Sequence, residues 1–148
     1  MTAASFYTRD CGLGPSRYVS GRLGIVIRLG AIDQEVRAIC LALPDATERL
    51  SHGAPAFFAG KQFVALWTDG HHADNFPHLW CAAPPGAQES FIAAGPERYF
   101  RPPYVGGRGW LGVRLDRNVD WDEVAFVCEE AFRTVAPGRL IARLETRT

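Results

Sequence analysis

Residues 56–68, AFFAGKQFVALWT, limit what this chain can fold into more than any other stretch. Two apolar segments, AFF and KQFVALWT, meet at Ala59-Gly60, and a glycine between two short runs of this kind marks a tight hairpin. In the second segment Phe63, Ala65 and Trp67 fall on one face of a strand, and Val64 and Leu66 on the other. A strand apolar on both faces belongs inside a sheet, with other material over each side. The chain therefore needs a sheet and something to lay upon it.

The covering material is legible on both flanks. DQEVRAICLAL places Val36, Ile39, Cys40 and Leu43 on one helical face, with Asp33 as N-cap and Pro44 as the stop. DWDEVAFVCEEAFRTVA repeats the pattern with Trp121, Val124, Val127, Cys128, Ala131 and Val135. There Asp120 and Glu123 stand at capping-box spacing, and Pro137-Gly138 ends the helix. Between these flanks DATERLSHGAP reads as a polar turn, TDGHHADNFPH as a loop and HLWCAA as a third strand. PPGAQESFIAAG reads as a short helix with Pro85 in its first turn and Gly95 at its stop, and GWLGVRLD as a further strand. The order predicts an α+β domain: an antiparallel sheet with N- and C-terminal helices packed on one face, plus a short inserted helix.

Residues 1–31 stand apart. They are rich in Gly, Ser and Arg, and only GIVIRLG has the character of a packing segment, read here as one short strand. We expect a poorly ordered N-terminal extension over 1–31 and a single domain over 32–148. A transit-like leader and a start codon placed too far upstream both accord with that composition; a secretory signal, which needs a longer apolar centre, does not. No apolar run approaches the ~18 residues of a membrane span.

The net charge is zero, but it is distributed in blocks: residues 1–30 sum to +3, 31–93 to −4, 94–118 to +3, 119–132 to −5 and 133–148 to +3. A neutral total argues against strong nonspecific nucleic-acid binding while leaving room for one basic face. Cys11, Cys40, Cys81 and Cys128 lie 29, 41 and 47 residues apart, without CxxC or metal-type spacing. Three of them fall in apolar runs, so they read as buried free thiols in a reducing cytoplasm.

Candidate chemistry is sparse. His71, His72 and His78 with Asp69 and Asp74 are the right ligand types for a divalent metal, but adjacent histidines diverge and no HxxxH fixes a pair, so a connecting loop is the preferred reading and no metal or cofactor is expected. Ser51 beside His52 lacks a nucleophile elbow, and sequence neighbours rarely aim at each other. The glycines of VGGRGWLG precede a strand rather than a helix, which removes the dipole argument for phosphate binding. These readings yield no catalytic set, and a non-enzymatic protein is expected.

The densest cluster of basic and aromatic residues is Arg98, Tyr99, Arg101, Tyr104, Arg108, Trp110 and Arg114. In WLGVRL the residues Leu111, Val113 and Leu115 should face the core, leaving Trp110, Gly112 and Arg114 on the opposite face. Guanidinium groups beside an aromatic ring suit phosphate contact with base stacking. For Trp110 itself the preferred reading is that it packs on Pro102 or Pro103 and fixes a corner.

LALPDATERLSHGAPAFFAGKQFVAL, ERYFRPPYVGGRGWLGVRLD and DWDEVAFVCEEAFRTVAPGRL together resemble the MmcQ/YjbR family over about residues 35–144. Leu43, Pro44, His52, Gly53, Pro55, Phe57, Pro103, Tyr104, Gly106, Gly109, Trp110 and Val135–Pro137 stand where that family's pattern has them. The closing helix departs from it, with Ala131-Phe132 and Gly138 where Ser-Tyr and Lys are usual. The resemblance implies a frataxin-like fold and DNA binding through a double-wing pair of projections. On that basis the expected DNA contacts are Lys61 on one projection and Arg98, Arg101, Arg108, Trp110 and Arg114 on the other, made to the phosphate backbone by a cytoplasmic monomer. A second expectation is a small-molecule or protein-binding adaptor that uses a sheet face carrying Trp67, Trp80 and Trp110.

Overall fold

A computed structural model of the chain describes residues 21–71 and 75–147, with side chains from Gly30 onward. Helix α1 runs over Gly21–Leu41. It is followed by strands β1 (Thr47–Ser51), β2 (Ala54–Ala59), β3 (Lys61–Trp67) and β4 (His78–Cys81). Then come helix α2 (Ala87–Ala94), strand β5 (Tyr99–Phe100), a 3-10 turn over Gly106–Arg108 and strand β6 (Leu111–Arg114). Helices α3 (Trp121–Val135) and α4 (Gly138–Thr146) close the described chain. The strands form one antiparallel sheet in the order β1-β2-β3-β4-β6-β5. The α+β class expected from the pattern is the one observed.

Helix α3 lies across β3 and β4, and α1 lies against α3 and β3, so both flank helices cover the same side. Asp120 caps α3, its carboxylate accepting from the backbone N–H of Asp122 and Glu123. Ile32, Val36 and Cys40 carry the buried stripe of α1, and Val124, Val127, Cys128, Ala131 and Phe132 that of α3. Beneath them the sheet contributes Phe57, Val64, Leu66, Leu79, Cys81, Leu111 and Val113, which share one face through the strand register. This face is the core.

Several local expectations change. GIVIRLG is helical, inside α1, rather than a strand, and Asp33 lies mid-helix, accepting a 2.6 Å hydrogen bond from Thr68 instead of capping. Residues 1–20 of the extension expected over 1–31 lie outside the described residues, and 21–31 fall within α1. DATERLSHGAP is more than a turn: Thr47–Ser51 is an edge strand, joined to β2 by His52-Gly53 with φ of 54° and 81°. Two consecutive left-handed residues form the mirror-image turn whose twist matches a two-strand ribbon, and histidine is among the residues that enter that region most readily. Helix α4 follows Pro137 and lays Leu140 and Leu144 into the core.

The central strand also differs from a simple alternation. Phe57 pairs with Val64 and Phe58 with Gln62, so Phe63 is an extra residue on β3. Such a bulge turns two successive side chains to one side. Phe63 thereby joins Val64 on the helix face and meets Phe132 edge-on, ring centroids 5.7 Å apart. Ala65 and Trp67 are left on the other face, and Gln62 joins them.

Candidate ligand-binding site

The side of the sheet away from the helices carries a hollow. Pairing puts Ala65, Trp80 and Gly112 in one row across β3, β4 and β6, and Trp67, His78 and Arg114 in the next. The Phe100 ring, on edge strand β5, lies over Gly112, where a Cβ would come within 2.5 Å of it. Phe76, His78 and Phe100 form an aromatic cluster that closes this end. Toward β1 the sheet stays open, and a cavity of about 700 Å³ forms between Ser51, His52 and Gln62 on one side and Tyr104, Val105, Arg108 and Trp110 on the other. Trp67, Trp80, Ala65, Gly70 and His71 line the remainder.

Its walls are aromatic. The Trp67 and Trp80 rings are 4.9 Å apart and tilted by 51°, and the His71 ring lies edge-on to both, at 4.4 and 4.8 Å. Tyr104 meets His71 edge-on at 5.9 Å. The indole N–H groups of Trp67 and Trp80 are buried with no acceptor among the described residues. A desolvated donor left this way costs about 1–3 kcal/mol, so two in one wall ask for an explanation.

Residues 101–110 form the far wall, and a residue not singled out from the sequence anchors them. Gln88, buried on α2, donates from Nε2 to the carbonyls of Gly106 (2.9 Å) and Trp110 (2.5 Å). Its Oε1 accepts from Arg101 at 3.2 Å. One amide thus ties the 3-10 turn, the start of β6 and Arg101 together. Tyr104 at φ 64° and His52 at φ 54° are two of the four described non-glycine residues with positive φ, and both line the cavity. Backbone held in so unfavourable a region tends to gather at binding sites.

The six residues expected to contact nucleic acid do not converge. Arg98 is ion-paired to Glu123 on the helical side. Arg114 makes a two-pronged pair with Asp116 at 3.0 and 2.8 Å and covers the Phe76 ring at 3.8 Å. That guanidinium holds the Asp116 carboxyl below its ordinary range, so the charge on Arg114 is largely met within the protein. Lys61 is exposed at the tip of the β2–β3 hairpin, opposite Ala59, where Gly60 abuts Pro137. Arg101 and Arg108 are exposed on the 101–110 loop, and Trp110 is buried as part of the cavity wall. Leu111, Val113 and Leu115 are core residues, as the alternation of GWLGVRLD predicts.

Of the histidine group, His78 is fully buried in β4 with Nδ1 2.8 Å from the Phe76 carbonyl, and His71 joins the cavity wall. His72 and Asp74 lie outside the described residues. Among the described residues no group of three or more His, Cys, Asp or Glu side chains is placed to hold a metal. Ser51 and His52 do meet, against expectation: Oγ and Nδ1 are 3.1 Å apart on the β1–β2 turn. No third group orients the His52 ring among the described residues, so the pair lacks the relay that activates a nucleophile.

The YjbR family model matches residues 41–134, which span β1 through almost all of α3. No curated protein matches the chain. Among solved structures, Deinococcus radiodurans protein DR2400, a DUF419-domain protein, is similar at a TM-score of 0.57 and 17% identity, covering 70% of this chain and 77% of that one. At that identity the likeness speaks for the fold.

Proposed function

The chain belongs to the YjbR family, and from that premise we propose that it is a small non-enzymatic binding domain whose site is the tryptophan-lined cavity on the open sheet face. One observation carries this reading. Trp67, Trp80 and Trp110 come from three separate strands or their flanks, yet they line a single cavity of about 700 Å³. That is the size and aromatic character of a pocket for a small organic molecule, roughly 300–1,000 Å³. Ligand binding to the folded chain raises its stability by about 2.7 kcal/mol at a hundredfold excess over Kd. A panel of small molecules should therefore contain compounds that raise Tm and quench tryptophan fluorescence together. A broad panel that does neither would remove the cavity as the working site.

A second reading has its own support. Arg101, Tyr104 and Arg108 are all exposed on the 101–110 loop, and Tyr104 is 77% exposed. The loop would serve as one wing and the β2–β3 hairpin with Lys61 as the other in contact with DNA backbone. Binding to short duplex and single-stranded DNA across a salt series tests it: log affinity should fall linearly with log salt, with a smaller slope in the Arg101→Ala/Arg108→Ala double variant. Affinity that is absent at low ionic strength rejects it. Both readings take the chain as a cytoplasmic monomer, and three buried free cysteines support the reducing compartment. None of the described helices is long and apolar enough to cross a membrane.

A further inference from the structure

Resting on the cavity reading just given, we infer that the occupant is a planar aromatic acid, its ring held among the indoles and its anionic group turned toward Arg108. The sign of the site comes first. Among the described side chains that line it there is no aspartate or glutamate, whereas Arg108 is one of them. The other arginines of this basic block are differently occupied: Arg98, Arg114 and Arg117 pair with carboxylates, and Arg101 is held by Gln88. Among the described residues the Arg108 guanidinium meets the Trp110 ring, its carbon 5.4 Å from the centroid, and no ion pair there engages it. A cation at the edge of an apolar cavity is available for a bidentate, charge-assisted bond to a carboxylate or phosphate.

The shape selects the body of the ligand. Trp67 and Trp80 form a tilted corner with His71 edge-on to both, and a flat ring system gains stacked and edge-on contacts there that a branched aliphatic one does not. Clusters of tryptophan and tyrosine also bind quaternary ammonium groups, but Arg108 beside Trp110 opposes a cation at this position.

Three probes with one naphthalene ring and different charge separate these possibilities: 2-naphthoate, 2-naphthalenemethanol and 2-naphthylmethylammonium. Each is titrated calorimetrically into the full chain near neutral pH and low salt. The carboxylate should bind about tenfold more tightly than the alcohol, as one charge-assisted bond allows, with the ammonium weakest. Arg108→Gln should bring the acid-to-alcohol ratio toward one; Arg108 is exposed, and an unchanged melting curve confirms that the variant is folded. If the alcohol or the ammonium binds as tightly as the acid, the inference fails while the cavity remains a ligand site. If R108Q keeps the full ratio, the role given to Arg108 fails. If no probe produces binding heat, the inference and the cavity reading fall together.

Discussion

Gly112 and Gln88 decide the site at the scale of single residues. A Cβ on Gly112 would stand 2.5 Å from two ring carbons of Phe100, so the ring or the strand beneath it must shift to admit one. Gly112→Ala should therefore lower stability by about 1–3 kcal/mol, as overpacking does, read from the denaturant midpoint at constant m-value. Gln88→Leu keeps the volume but strands the carbonyls of Gly106 and Trp110, and should cost a similar ~1–3 kcal/mol. The same variant should loosen residues 101–110, seen as faster amide exchange at Gly109 and Trp110. Some of this was legible in advance. The alternation of WLGVRL placed Gly112 on the face opposite the core. Gln88 was not legible, because a glutamine on a short helix becomes a tether only when a loop folds over it.

Among the elements, the bulge in β3 matters most for the cavity. Strict alternation would set Phe63 beside Ala65 and Trp67; the extra residue sends it to Phe132 and leaves the smaller Gln62 at the hollow. The anchoring of β1 has an electrostatic part. Arg37 on α1 holds Glu48 on β1 through two 2.8 Å hydrogen bonds, and the guanidinium lowers the Glu48 carboxyl below its ordinary 4.5. A depressed carboxylate contributes stability above its unfolded value and loses that contribution as pH falls through its folded value. Both side chains are partly exposed, so the contribution is modest, about 0.5–1 kcal/mol. Glu48→Gln should thus be less stable than the parent near pH 7, and the two should converge as pH falls below the ordinary carboxylate range, checked by urea unfolding at each pH.

Across the whole molecule, three distant cysteines arrive in one core. Cys40 on α1, Cys81 on β4 and Cys128 on α3 are buried and free, and the Cys40 thiol interacts with both others. Burial pushes the Cys40 and Cys81 thiols well up, with Cys128 adding to the effect at each, so their nucleophilic thiolate form is suppressed. Native protein treated with iodoacetamide near pH 8 should leave Cys40, Cys81 and Cys128 unmodified by peptide mass spectrometry, and denaturant should expose all three together. Modification of one of them in the native state would show that the core opens locally. The same convergence sets the two sides of the sheet apart: helices cover one, and the other keeps a cavity where β1, the 101–110 loop and the centre of the sheet meet.

What the sequence determined by itself was local and periodic. Hydrophobic spacing located α3, α2, the β2–β3 hairpin and β6, and a combination of short motifs placed the chain among the YjbR proteins, because these signals are written within a few residues of one another. The cavity was decided by tertiary structure. Its walls join Ser51 on β1 to Trp110 beside β6, through a bulge that shifts one register and a buried amide that pins a loop. The partner of one arginine was decided there as well: Glu123, 25 residues along the chain, reaches Arg98 only in the fold, whereas Asp116 and Trp110 stand two residues from Arg114 and Arg108 in the sequence itself.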